Sequence, residues 1–424
     1  MVQLKRDRKT FRLFLSCKAN GRSLQLLVDT GANKNSLSTD VAKEMQLGPT
    51  QDSTVVAGNT VHKVQLARCK DFKVGGLPAS EVELLLTDDS ASRELLTKEG
   101  AMVFDGQIGA EWLTRYSCVI DFATSRLYCL DPAKKAARPA ARGKDSSIRR
   151  ELTRNGYDAV NLIVYKATSE LLTDCTANGT PIHLMLDTGA TYTSIDEEIA
   201  KRLKVTTKES SLIMKTTGTN TIKIRTALLD SLVIGNLSLV NPDIFVMDFS
   251  VRRQQAKANG GVALEGLLGA MSLYLWSAVI DFRDSALYFI EPLKRELASF
   301  SGQWQASRVQ YFGVVESADN AKKWRLSIEN ETVELQSGKE TWRGAYGVNL
   351  RWSNSQFQFR VASSNAVAKK ATYLGIYDFD ESRNRFALCL CLDPTQTDYP
   401  NDMTSTKDNK RVLIEFERVA SAPR

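Results

Sequence analysis

The sequence predicts a mainly β protein with small helices. Two copies of one domain pair about a pseudo-twofold axis, and a C-terminal antiparallel β barrel follows. Three observations predict this. LLVDTGANKNSL at 26–37 returns as LMLDTGATYTSI at 184–195. The segments around both motifs alternate apolar and polar residues with the period of strands. The last third alternates in the same way but carries no DTG motif.

The repeat extends well beyond the motif. CKANGRSLQLLVDTGANKNSL (17–37) aligns with CTANGTPIHLMLDTGATYTSI (175–195) at an offset of 158, and VAKEMQL (41–47) and IAKRLKV (199–205) keep it. DGQIGAEWL (105–113) aligns with EGLLGAMSL (265–273), and CVIDFATSRLYCL (118–130) with AVIDFRDSALYFI (278–290), at an offset of 160. Landmarks in one order at nearly one spacing point to a duplicated domain of about 130 residues.

Each copy opens with strand, Asn-Gly, strand, which predicts a hairpin whose second arm ends at Asp29 or Asp187. DVAKEMQL and EEIAKRLKV have apolar residues three and four apart and predict short amphipathic helices. TVVAGNTVHKVQL (54–66) and SLIMKTTGTNTIKIRTALL (211–229) read as exposed hairpins turning at Gly58–Asn59 and Gly218–Thr219. A late helix starts near AEWL and AMSL. The copies are expected at 8–132 and 153–295. The segment 133–152 between them is rich in Pro, Ala, Gly and positive charge, has no evident apolar face, and reads as a solvated linker.

Composition narrows the function classes. A chain of 424 residues, 43% hydrophobic, needs more than one core. No apolar run approaches the roughly 18 residues of a membrane span. The start, MVQLKRDRKTFRLFLS, runs straight into a strand pattern without a small-residue cleavage site, so no signal peptide is expected. Net charge is +7, with part of the excess inside KKAARPAARGKDSSIRR (134–150). The positive charge is not interleaved with aromatics, so no nucleic-acid partner is expected. Seven scattered cysteines and two histidines argue against a disulfide framework or a zinc site. A cytoplasmic setting is expected, with no metal and no cofactor.

The DTGA stretches carry the chemistry. An apolar strand that ends in an ionisable Asp is costly unless the charge is hydrogen-bonded or used. Gly31 and Gly189 permit a tight turn whose N–H groups reach the carboxylate. Thr30 and Thr188 can tie each loop to the other. If Asp29 and Asp187 share one site, they retain one proton between them. One member then acts as acid, and the other takes a proton from water. For a single copy, an Asp capping a turn in a β barrel explains the motif as well. Two aligned copies shift the balance to the paired site. Asp121 and Asp281, in the two IDF segments, lack a following Thr-Gly and read as turn or strand-end acids. His62 and His183 are unmatched between copies and read as ordinary strand residues.

DTGA after an apolar strand, a glycine hairpin, and then DGQIGAEWL or EGLLGAMSL resembles the retropepsin-like aspartic proteases, over about residues 8–292. The resemblance implies that Asp29 and Asp187 are catalytic, supported by Thr30, Gly31, Ala32, Thr188, Gly189 and Ala190. It implies flaps at Gly58, Asn59, Gly218 and Thr219. It also implies glycine segments packing behind the loops, at Gly106, Ile108 and Gly109 and at Gly266, Leu267, Leu268 and Gly269. The first copy departs at Gln107, where the pattern has an apolar residue. Family members pair two such domains. Here the expected arrangement is an intramolecular pseudo-dimer in a monomer, with pairing between two chains as the alternative. The implied activity is endopeptidase action on an extended polypeptide, with apolar side chains around the scissile bond.

In residues 302–424, GQW and YLGIYDFDESRNRFALCLCL resemble a small lipocalin-like β domain found in planctomycete proteins. Trp304, Trp324, Trp342 and Trp352 are spread along it, and most of them are expected in its core. The domain reads as a structural or substrate-docking appendage rather than a small-molecule cup. Two other readings compete with the endopeptidase: a catalytically inactive peptide-binding protein on the same scaffold, and a ligand-binding protein centred on the C-terminal domain.

Overall fold

A computed structural model describes residues 1–419 except 58–59, 78–79, 132–145, 167, 216–220, 241, 259–262, 331, 350–354, 366–370 and 381. The chain forms two compact units, Met1–Ile290 and Glu291–Arg424. Among the described residues both are mainly strand, with short helices.

In the first unit each repeat builds its own sheet. Strands Leu13–Ala19 and Arg22–Val28 pair as a hairpin, as do Glu170–Ala177 and Thr180–Asp187. Asn20 and Gly21 turn the first with φ of 47° and 81°, and Asn178 and Gly179 turn the second with 46° and 76°. Positive φ at both central residues is what a two-residue hairpin needs, and Asn-Gly supplies it at little steric cost. Short strands Gly106–Ile108 and Gly266–Gly269 then run parallel to the second arm of each hairpin. Each also pairs with Ser36–Ser38 or Ser194–Asp196, the strand that follows the DTGA loop. Both sheets therefore clamp their loop from behind.

A third sheet joins the repeats. Val119–Asp121 and Val279–Asp281 pair antiparallel with Ile120 opposite Ile280, which places the IDF segments about a local twofold. Asp121 accepts the Ala123 and Thr124 N–H groups, and Asp281 those of Arg283 and Asp284, so both are turn acids. One apolar cluster runs from Leu4 to Phe289 through both repeats. Fusing the cores this way buries more apolar area than either small domain could alone.

The segment expected as a linker is partly structured. Ser147–Arg154 is a helix, capped by Ser146, whose Oγ accepts the Arg149 N–H at 3.1 Å. Ile148 and Leu152, four residues apart, pack with Val119, Val279 and Tyr288. The surrounding charge hides this two-residue apolar face.

The second unit begins earlier than residue 302. Helix Pro292–Phe300 belongs to it: Phe300 is fully buried among Tyr346, Phe357, Tyr377, Phe379 and Phe386. Its strands form a closed antiparallel barrel, with Gly302–Tyr311 pairing both Trp324–Glu329 and the last strand, Arg411–Arg418. Trp304, Trp324 and Trp342 lie in its core, and Trp352 lies outside the described residues. Phe300, Trp304, Phe357 and Phe386 are among the aromatic side chains packed in its interior. No helix among the described residues is long and apolar enough to cross a membrane.

Candidate active site

The two DTGA loops meet. Thr30 N–H donates to Thr188 Oγ1 at 3.0 Å, and Thr188 N–H donates to Thr30 Oγ1 at 3.1 Å. Thr30 Oγ1 donates to the Leu186 carbonyl at 2.6 Å and Thr188 Oγ1 to the Val28 carbonyl at 2.5 Å. Both threonines are fully buried, so each hydroxyl satisfies one acceptor and one donor of the opposite strand end.

The lattice brings the two carboxyls into one site. A Cβ on Gly31 would stand 2.4 Å from Asp187 Cγ, and one on Gly189 would stand 2.5 Å from Asp29 Cγ. Each loop's glycine thus faces the other loop's carboxyl, at a distance that admits no side chain. Gly31 N–H donates to Asp29 Oδ1 at 2.9 Å. Asp187 Oδ1 accepts two such bonds, from Gly189 at 3.0 Å and Ala190 at 2.9 Å. Burial, then repulsion from Asp187, push the Asp29 carboxyl up to about 7. The Gly31 N–H, Arg252 and Arg12 oppose that rise.

Behind the loops, Ala110 N–H donates to the Ala32 carbonyl at 2.7 Å, and Ala270 N–H to the Ala190 carbonyl at 2.8 Å. Asp29 N–H donates to the Ile108 carbonyl at 2.9 Å. A Cβ on Gly106 would meet Ser36 O at 2.2 Å, and one on Gly266 would meet Ser194 O at 2.3 Å. A Cβ on Gly109 would meet Lys34 O at 2.6 Å, and one on Gly269 would meet Tyr192 C at 2.4 Å. Gln107 keeps its place opposite Leu27 and Ser36, as Leu267 does opposite Met185 and Ser194. It is half-buried, whereas Leu267 joins a buried cluster with Phe249 and Met247. The loop's backbone support is retained, and Leu27 beside Gln107 is covered by Leu96 and Phe104.

Both repeats match aspartyl-protease families. Residues 15–97 fit the gag-polyprotein aspartyl protease model and residues 173–271 the aspartyl protease model. Among solved structures the chain is similar to a retropepsin-like aspartic protease from Rickettsia conorii, at 21% identity over 32% of this chain and 88% of that one, with a TM-score of 0.22. No curated protein matches.

The hairpins Pro49–Ala57/Thr60–Lys73 and Thr207–Lys215/Thr221–Leu228 are present in the aspartyl-protease-like repeats. The flap residues named from sequence, Gly58, Asn59, Gly218 and Thr219, lie outside the described residues. Two arginines were not legible in the sequence. Arg252, on helix Ser250–Ala258 of the second repeat, donates through Nη2 to the Gly31 carbonyl of the first at 2.8 Å. Its neighbour Arg253 pairs with the fully buried Asp196 at 2.6 Å, and Asp196 also accepts the Phe249 N–H at 3.0 Å. Together they fix the helix that carries Arg252. The SVRRQQAKA stretch has no DTG-like signature to mark this role.

Proposed function

We propose that the first unit is an aspartic endopeptidase in which Asp29 and Asp187 activate one water against a peptide carbonyl. The observation that carries this reading is the approach of Gly31 to the Asp187 carboxyl and of Gly189 to the Asp29 carboxyl, with both loops locked by Thr30 and Thr188. Asp187, with two N–H donors, is the better-stabilised anion, and Asp29, pushed up to about 7, holds the shared proton. Asp187 takes a proton from water as the water oxygen bonds to the carbonyl carbon. Asp29 gives its proton to the carbonyl oxygen, producing a neutral gem-diol. Asp187 then delivers its proton to the amide nitrogen. The C–N bond breaks as Asp29 recovers a proton from one hydroxyl, which restores the starting state.

The paired hairpins suit an extended polypeptide, which can add its backbone to strand edges. The hairpins Pro49–Ala57/Thr60–Lys73 and Thr207–Lys215/Thr221–Leu228 are assigned to flaps that exclude water from the cleft. The test is inhibition. A peptide whose scissile amide is replaced by a tetrahedral hydroxyl-bearing isostere should bind at least about 100-fold more tightly than the parent substrate. Equal affinity for the two would count against a gem-diol pathway.

A further inference from the structure

The 158-residue offset that relates Asp29 to Asp187 also relates Arg12 to Glu170, so the site is symmetric in its acids and opposite in the charges beside them. In the first hairpin Phe14 faces Leu27, and in the second Leu172 faces Met185. Arg12 and Asp29, and likewise Glu170 and Asp187, lie two residues beyond these pairs, at the ends of the same two hairpins. Arg12 lies within the fields of both Asp29 and Asp187, and Glu170 within that of Asp187, while Arg252 stands between Glu170 and the Gly31 carbonyl, so both charges lie close to the acids.

The surroundings of the two differ. Arg12 Nε is buried and has no hydrogen-bond acceptor among the described residues. Burial pushes its pKa down, and the fields of Asp29 and Asp187 lead those that oppose the fall. A buried, unsatisfied donor is costly, and a guanidinium fork matches an arriving carboxylate. Glu170 is better provided: its Oε2 accepts Thr168 Oγ1 at 2.8 Å, and its Oε1 lies 4.0 Å from Arg252 Nη2.

We propose that Arg12 and Glu170 are opposed specificity residues: Arg12 receives an Asp or Glu side chain of the polypeptide next to the scissile bond on one side, and Glu170 disfavours an acid at the mirrored position. This rests on the cleft proposed above and adds an acidic substrate class and a single chain direction to it. Two identical subunits would read a peptide alike in both directions, whereas a tandem chain with Arg on one side and Glu on the other reads it in one.

The test moves a single Glu through the positions flanking a cleaved bond, each peptide matched by its Gln counterpart. Each pair is made with the scissile amide intact and with the amide reduced so that it resists hydrolysis. The wild type should prefer Glu by about tenfold at one position on one side, in both kcat/KM and the Kd of the reduced peptides. Arg12→Gln should bring that Glu/Gln ratio close to one, Arg12→Lys should restore part of it, and Glu170→Gln should relieve the penalty at the mirrored position. Cleavage without any Glu preference, or a preference that survives Arg12→Gln, overturns the inference while the hydrolytic reading stands. An Arg12-dependent preference in binding, with no cleavage of any peptide, supports the inference and removes the hydrolytic reading.

Discussion

Thr30 and Thr188 exchange hydrogen bonds across the junction of the repeats, each hydroxyl accepting the other's backbone N–H at 3.0–3.1 Å. Removing one hydroxyl strands a buried carbonyl and a buried N–H together. Thr30→Val should therefore cost about 2–4 kcal/mol in chemical denaturation of the chain. Because the pair acts as one lattice, Thr30→Val with Thr188→Val should cost clearly less than the two single costs combined. Strict additivity would mean that the threonines act independently.

The Asp29 shift has a sign that stability measurements can read. Its carboxyl sits at about 7 in the folded protein, against an ordinary value near 3.8. Between those values the folded state binds more protons than the unfolded one, so this group's contribution to stability falls as pH rises. Asp29→Asn should raise the melting temperature at pH 7 and flatten the loss of stability between about pH 4 and 7. The gain should be on the order of 2–4 kcal/mol, part of it shared with Asp187. A variant no more stable than the wild type at pH 7 would place the proton elsewhere.

Arg252 connects loop position to acidity. It holds the Gly31 carbonyl at 2.8 Å and favours ionisation of Asp29. The single-proton state of the dyad is lost on the alkaline side as Asp29 ionises near 7. Arg252→Met removes a nearby cation, so the alkaline limb of kcat/KM should move to higher pH, with kcat lowered about tenfold through a looser loop. An unmoved limb with a reduced rate would leave Arg252 a purely mechanical part.

The glycines separate packing from chemistry. Gly106→Ala would drive a methyl to 2.2 Å from the Ser36 carbonyl, backbone against backbone, and should destabilise the fold by about 3 kcal/mol or more. Gly189→Ala instead meets the Asp29 carboxyl at 2.5 Å. It should remove most activity while costing less in melting temperature than Gly106→Ala, because a side chain can turn aside. The two melting temperatures and one rate check this directly.

Much of this site is written locally. Asp29 and Asp187 end apolar strands, Asn-Gly fixes both hairpins, and Gly106 and Gly266 follow at nearly one offset. Those features rest on local turn chemistry and periodicity, which a sequence displays. Arg252 and Arg12 acquire meaning only from tertiary placement, because Arg252 reaches from one repeat into the other and Arg12 is buried within the fields of both acids. The Ser147–Arg154 helix was obscured for a related reason: Ile148 and Leu152 alone define its buried face within a charged stretch. Helix Pro292–Phe300 could be assigned to the barrel only once Phe300 was seen at its aromatic centre.

The most direct measurement is cleavage of an unbiased peptide mixture from about pH 3 to 8 by the wild type, Asp29→Asn and Asp187→Asn, prepared identically. A shared dyad predicts one set of cleavages in the wild type and loss of that whole set, by at least about 1,000-fold, in both variants. Cleavage that survives either substitution, or a folded wild type that cleaves nothing at any pH, would contradict it.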